Sequence, residues 1–263
     1  GSSTAAAPAT IELGRLPSQP TSPIPIDETV VEPSTTRPAP PRTTVAPATT
    51  DGDATTARAS TTVGRDPAKT TCATVAYIGD SVSLGMVSAV TLPNASARLE
   101  PRLAEIGVAN VRVEISGGRS IVETLSGQEN AFDVAKRLRA DGFSGCWVVA
   151  VGTNDAANIA AGAARQADER IVAMMSVIGS DPVLWIDALT LPTTGFWASQ
   201  NIVAWDDALA VAGTSYRTLR IAKWSAVVHT EWFESDGIHP TAAGSAARVQ
   251  FVAAELVANF PST

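Results

Sequence analysis

No aromatic residue precedes Tyr77, whereas eleven of the chain's 17 prolines fall within residues 1 to 70. This asymmetry divides the chain before any other argument is made. Fixing a residue costs roughly 1 to 2 kcal/mol of conformational entropy, and a stretch without large apolar side chains has nothing to offset it. Residues 1 to 70 therefore read as a Pro/Thr-rich linker, extended where prolines cluster. Gly1-Ser2-Ser3 resembles an expression remnant, so no weight is placed on the start of the chain or on the missing signal peptide. Residues 71 to 263 carry all six Trp, all six Phe and both Tyr and read as a single folded domain. A domain of that size buries about 70% of the surface its unfolded chain exposes.

Charge and composition exclude several functions. The linker holds six Lys/Arg against seven Asp/Glu, leaving −6 of the chain's −7 on the folded part, a poor match for nucleic acid. No apolar run approaches the ~20 residues of a membrane span. Two cysteines cannot build a tetrahedral zinc site alone, and two histidines leave little for a catalytic metal.

Short apolar runs at Thr74 to Ile78, Val111 to Ile115, Cys146 to Val151, Val183 to Ile186 and Leu219 to Trp224 read as buried strands. Helical spacing lies between and after them, at Ala131 to Leu138, Ala164 to Ile178 and Thr241 to Asn259. Five alternations predict a parallel sheet covered by helices on both faces, with its chemistry at the carboxyl ends of the strands.

Four segments occupy those ends. Gly79-Asp80-Ser81-Val82-Ser83-Leu84-Gly85 sets a serine at a strand-to-helix turn, where it is either a nucleophile whose own N–H helps hold an oxyanion or a helix cap. Ser116-Gly117-Gly118-Arg119-Ser120 is either a close backbone approach to a ligand or a plain turn. In Gly152-Thr153-Asn154-Asp155, Asn154 either offers an amide to an oxyanion or caps a helix. Asp236-Gly237-Ile238-His239 places a carboxylate three residues ahead of a histidine, as an orienting pair for a general base or as an Asp-Gly turn beside a solvent-facing histidine.

In this order, and at these element ends, the four segments resemble the blocks of the SGNH (GDSL) hydrolase family over residues 74 to 259, with Val82 where the family nickname has leucine. The resemblance implies a three-layer α/β/α sandwich whose five-stranded parallel sheet has the order 2-1-3-4-5. It implies Ser81 as nucleophile, His239 as general base and Asp236 as its partner. The oxyanion donors would be Ser81 N–H, Asn154 and a glycine of the second block. Gly118 is preferred to Gly117, because the family glycine is usually followed by a polar or charged residue and then Ser or Thr. No cofactor and no metal are implied.

In that strand order Cys72 and Cys146 sit at the amino ends of neighbouring strands, about 4.8 Å apart, so a bridge between them is expected over two buried free thiols. An oxidised pair would place the domain outside the cytoplasm. A Pro/Thr/Ala linker ahead of such a domain resembles the extracytoplasmic part of membrane-bound envelope O-acyltransferases. The implied partners are an acyl donor, a glycan acceptor and an upstream membrane acyltransferase domain. A secreted esterase or lipase is the alternative, and a glycan-binding domain with a degenerate site a third.

Remaining residues receive plainer readings. His229 is expected to be structural, Arg119 to make a surface salt bridge in preference to an anion site, and Phe196 and Trp197 to pack in the core in preference to lining a substrate. The Asn94-Ala95-Ser96 triplet is given no weight.

Overall fold

The computed structural model describes residues 68–262; the Pro/Thr-rich stretch up to residue 67 lies outside the described residues. Five parallel strands, β1 (Thr74–Gly79), β2 (Asn110–Ile115), β3 (Cys146–Ala150), β4 (Val183–Ile186) and β5 (Leu219–Ala222), form one sheet of order β2-β1-β3-β4-β5. The inner strands are buried on both faces, which is why they read as unbroken apolar runs.

Period-two alternation divides each inner strand between two cores. Ala76, Ile78, Trp147, Val149, Val183 and Trp185 point to one face. Val75, Tyr77, Val148, Ala150, Leu184 and Ile186 point to the other. The first face is covered by α2 (Ala131–Ala140), α3 (Thr153–Ala160), α4 (Ala167–Ile178) and α5 (Ser199–Ser215). The second is covered by α1 (Leu99–Glu105) and α6 (Ala242–Asn259), through Leu99, Leu103, Val249, Val252 and Leu256. This is the predicted three-layer α/β/α sandwich.

Among the element ends that differ from expectation, two have a plain local cause. Helix α4 starts at Ala167, not Ala164, because Gln166 and Glu169 close a reciprocal capping box there. Strand β5 stops at Ala222, not Trp224, because Trp224 opens a short 3-10 turn and tucks its ring into the core.

At the amino ends of the strands Cys72 and Cys146 form a disulfide with Cα atoms 5.6 Å apart, as the neighbouring strands allow. Beside it, Thr70 and Pro261 form an antiparallel bridge, and the Thr70 hydroxyl donates to the Phe260 carbonyl at 2.8 Å. The last residues of the segment read as linker are thus clasped to the end of α6. A cross-link closing 74 residues contributes about 4 kcal/mol in the chain-entropy model. Replacing both cysteines by serine is expected to lower the urea-unfolding free energy by about 2 to 4 kcal/mol. An unchanged midpoint would show that the bridge does not carry that stability.

Candidate active site

Ser81 stands immediately beyond β1, at the start of a 3-10 turn spanning Ser81–Met86. Asp80 caps this turn, its Oδ1 accepting the Val82 N–H at 3.0 Å. Gly79 makes the reversal possible: a Cβ there would lie 2.8 Å from the Ser83 Oγ and 2.9 Å from the Tyr77 ring. No larger residue fits two positions ahead of the serine.

Across the surface, the loop before α6 is folded by its own aspartate. Asp236 Oδ1 accepts the Ile238 and His239 amides at 2.8 and 3.0 Å, an Asx turn that fixes the loop. Its Oδ2 lies 2.6 Å from His239 Nδ1, and His239 Nε2 lies 2.9 Å from Ser81 Oγ. Partial burial works to raise the Asp236 carboxyl, but the bonds from the His239 ring and the two amides hold it below the ordinary aspartate range. Asp236 is therefore an anion where His239 needs an acceptor. With Nδ1–H donated to it, Nε2 faces the serine as a base. The site is open: the His239 side chain is 44% exposed.

The other two segments meet beside this line. The Arg119 N–H donates to the Ser116 carbonyl at 3.4 Å, and Gly118, third in that turn, has φ +69°. That left-handed conformation is where glycine is required. Gly117 is exposed and has ordinary φ, so the special backbone lies at the preferred glycine. Asn154, in the first turn of α3, donates one amide hydrogen to the Arg119 carbonyl at 3.1 Å, which orients the group and leaves its second N–H free to donate elsewhere.

Several flanking residues depart from expectation. Arg119 makes neither a surface salt bridge nor an anion site: it is buried, and its guanidinium donates to the Gly79, Glu114 and Glu129 carbonyls, tying β1, β2 and the loop after β2 together. Phe196 is 46% exposed instead of packed in the core, and Trp197 is half-buried. Their loop touches the triad loop, Leu191 N–H donating to the Gly237 carbonyl at 2.8 Å. His229, by contrast, takes no part in the triad: it is exposed, its ring edge-on to Trp232 at 4.5 Å. Asn94 caps a short 3-10 turn by accepting the Ser96 N–H.

Sequence reasoning missed a buried ionic network behind the second segment. Arg170, fully buried on α4, pairs with Asp155 Oδ1 at 2.8 Å and grips both Glu123 oxygens, while Asp155 Oδ1 also accepts the Ile121 N–H at 2.9 Å. Ser120 and Asn158 donate to the same Glu123 carboxylate. The network fixes the loop that carries Gly118 and Arg119. A polar residue inside the apolar stripe Arg170, Ile171, Met174, Met175, Ile178 was the available clue. Asp80 and Arg248, both buried, were missed in the same way.

The fold is that of the SGNH hydrolases: a parallel sheet of order 2-1-3-4-5 between two helical layers, with these four segments at its carboxyl edge. A lipase/acylhydrolase from Enterococcus faecalis superposes with TM-score 0.53 at 19% identity, covering 72% of this chain and 98% of its own. A carbohydrate acetylesterase family member from Sinorhizobium meliloti gives 0.55 at 16% identity, over 70% and 97% of the two chains. The C-terminal catalytic domain of Streptococcus pneumoniae peptidoglycan O-acetyltransferase A, bearing a methylsulfonyl adduct, gives 0.51 at 15% identity, over 70% and 92%. No protein-family model matches the chain, nor does any curated protein sequence.

Behind the Phe196 loop, Asp206 on α5 accepts the Ala188 N–H at 3.1 Å. Burial pushes its carboxyl up from 3.8 to about 7. With the folded value above the unfolded one, the folded state binds the proton more tightly. This contribution is complete below the unfolded value and is lost as pH rises through about 7. Asp206→Asn, which keeps the accepting oxygen, is therefore expected to raise the melting temperature at pH 8 and to flatten its decline between pH 4 and 7. A variant that melts below wild type at pH 8 would contradict this.

Proposed function

We propose that the domain performs serine-dependent acyl transfer through an acyl-enzyme on Ser81. The observation that carries the proposal is the continuous chain Asp236 Oδ2, His239, Ser81 Oγ, with spacings of 2.6 and 2.9 Å. His239 Nε2 takes the hydroxyl proton as Oγ attacks the acyl carbonyl, and Asp236 stabilises the imidazolium that results. The Ser81 and Gly118 amides and the free Asn154 N–H stabilise the tetrahedral anion. Collapse passes the proton to the leaving oxygen and leaves an ester on Ser81. An acceptor hydroxyl, deprotonated by His239, then regenerates the serine.

The acceptor we favour is a cell-envelope glycan, and the acyl group a short one such as acetyl. Several observations support this reading. The open triad accommodates a bulky acceptor. The neighbour named as a peptidoglycan O-acetyltransferase domain has the same fold. The Cys72–Cys146 bridge supports an extracytoplasmic setting. The Pro/Thr-rich stretch suits a tether to an upstream membrane domain that supplies the acyl group. The same open triad also admits water, and water as acceptor makes the domain an ester hydrolase.

The test is turnover of p-nitrophenyl acetate, butyrate and octanoate with and without a glycan acceptor. The expected result is slow release restricted to short chains, partitioning to the acceptor. Ser81→Ala and His239→Ala should each lose more than about 1,000-fold in kcat. Asn154→Ala should lose about 100- to 1,000-fold, as expected for one oxyanion donor. Fast turnover indifferent to the acceptor would make the domain an esterase. Turnover that survives Ser81→Ala would end the acyl-enzyme reading.

A further inference from the structure

Two opposite charges are buried behind Ser81, and neither makes a salt bridge among the described residues. Asp80 is 1% exposed; its Oδ1 caps the Ser81 turn, but its Oδ2 accepts no hydrogen bond among the described residues. Arg248 projects from α6 and is 4% exposed, with its guanidinium 5.2 Å over the Trp224 ring and its Nε also unpartnered. Helix α6 packs directly on the Ser81 turn, so the two charges belong to facing elements. Arg248 lines the same small recess as Val82, whose amide Asp80 holds.

An arginine on a helix stripe of Ser245, Val249, Val252 and Leu256 is costly unless something needs its charge. The titratable groups whose charges act on Asp80 come from every side: Tyr77 on β1, Arg119 after β2, Asp155 on α3, His239 on the triad loop and Arg248 on α6. Arg119 is committed to three main-chain carbonyls. Arg248, on the helix that packs against the Ser81 turn, opposes the like charge of Asp155 and the burial that favours a neutral Asp80.

We infer that Arg248 is a positioning residue for Ser81: it keeps Asp80 ionised, and the ionised carboxylate holds the Val82 amide and with it the turn that presents the serine to His239. A charged acceptor makes a shorter and stronger cap bond than a neutral one. Protonation of Asp80 would loosen the nucleophile without removing any group that touches substrate. This inference rests on the acyl-transfer reading of Ser81 and gives Asp80 and Arg248, which that reading does not use, a role in it.

The test has two arms. The titration of the Asp80 carboxyl is followed by carbon-13 NMR in the Ser81→Ala protein, which needs no activity, with and without Arg248→Met. The kcat and KM of p-nitrophenyl acetate hydrolysis are measured from pH 4 to 9 for wild type, Arg248→Met, Arg248→Lys, Asp80→Asn and Asp80→Asn/Arg248→Met. Removing a nearby opposite charge is expected to raise the Asp80 titration by about one pH unit or more. The acidic limb of kcat should move to higher pH by the same amount, with KM unchanged and with recovery in Arg248→Lys. In the Asp80→Asn background, Arg248→Met should no longer move the limb. An Asp80 titration indifferent to residue 248, or a limb that moves equally in the Asp80→Asn background, overturns the inference. If Arg248→Met does not fold, Arg248→Gln serves in both arms. Absence of wild-type turnover overturns the acyl-transfer reading and the positioning role together, while the NMR arm still decides whether Arg248 controls Asp80.

Discussion

The hydrogen-bonded pairing of β1 with β3, Gly79 opposite Ala150, is the constraint on which the site depends. Because the two strands run parallel and in register, the residues that follow each emerge at the same edge: Ser81 after one, Asn154 after the other. The pairing of β1 with β2, Gly79 opposite Ile115, brings Gly118 to the same edge from the other side. Only the histidine must cross from elsewhere. It arrives because α6 packs on the face that also carries the Ser81 turn, and the Asp236 side chain folds the loop before α6 through two amides. At the opposite edge the disulfide joins the same two strands. The pair that positions Ser81 is therefore also the pair that is covalently fixed.

Parallel strands leave their carboxyl ends joined to loops, and the one after β2 reaches α2 without a single helical turn. It carries the glycine turn, yet it has few apolar residues to anchor it. The structure anchors it ionically: Arg170 holds Glu123 and Asp155, and Arg119 reaches back to the ends of β1 and β2. Buried pairs of this kind contribute little net stability, because desolvation offsets most of the attraction. What they give here is geometry. Asp155 Oδ1 fixes the Ile121 amide, and the Arg119 carbonyl holds the Asn154 side chain, so the loop that carries Gly118 is tied to α3 at two points.

Much of this was legible in the sequence because it follows from local rules. Apolar runs gave the strands, the strand ends gave the loops, and the Asp-x-x-His spacing within one loop makes the Asp236 to His239 contact almost independent of the rest of the fold. The Ser81 to His239 contact, 158 residues apart, was readable only through the family resemblance. What could not be read were contacts between helix faces. Arg170 and Arg248 each lie within an apolar stripe, and nothing in their periodicity tells a buried arginine from one whose stem covers the edge of the core. Phe196 was missed for the converse reason: an aromatic reads as core, but its exposure depends on how the loop sits against Gly237.

The buried carboxylates also set stability and chemistry against one another. Burial raises Asp80 and Asp155 to about 6 and Asp206 to about 7. Each therefore favours the folded state most in mild acid and withdraws that support as pH rises through those values. A histidine base, however, works only when neutral, and the Asp80 cap is strongest when ionised, so the proposed chemistry improves in the direction in which these groups weaken the fold. A domain working near neutrality sits on the declining side of its own stability profile. Interactions that do not titrate must carry the difference: the two apolar cores on either side of the sheet, and the Cys72–Cys146 bridge, whose effect on the unfolded chain is independent of pH. Placing the covalent link on β1 and β3 stabilises the strands that present Ser81 and Asn154 under the conditions where the buried aspartates stabilise them least.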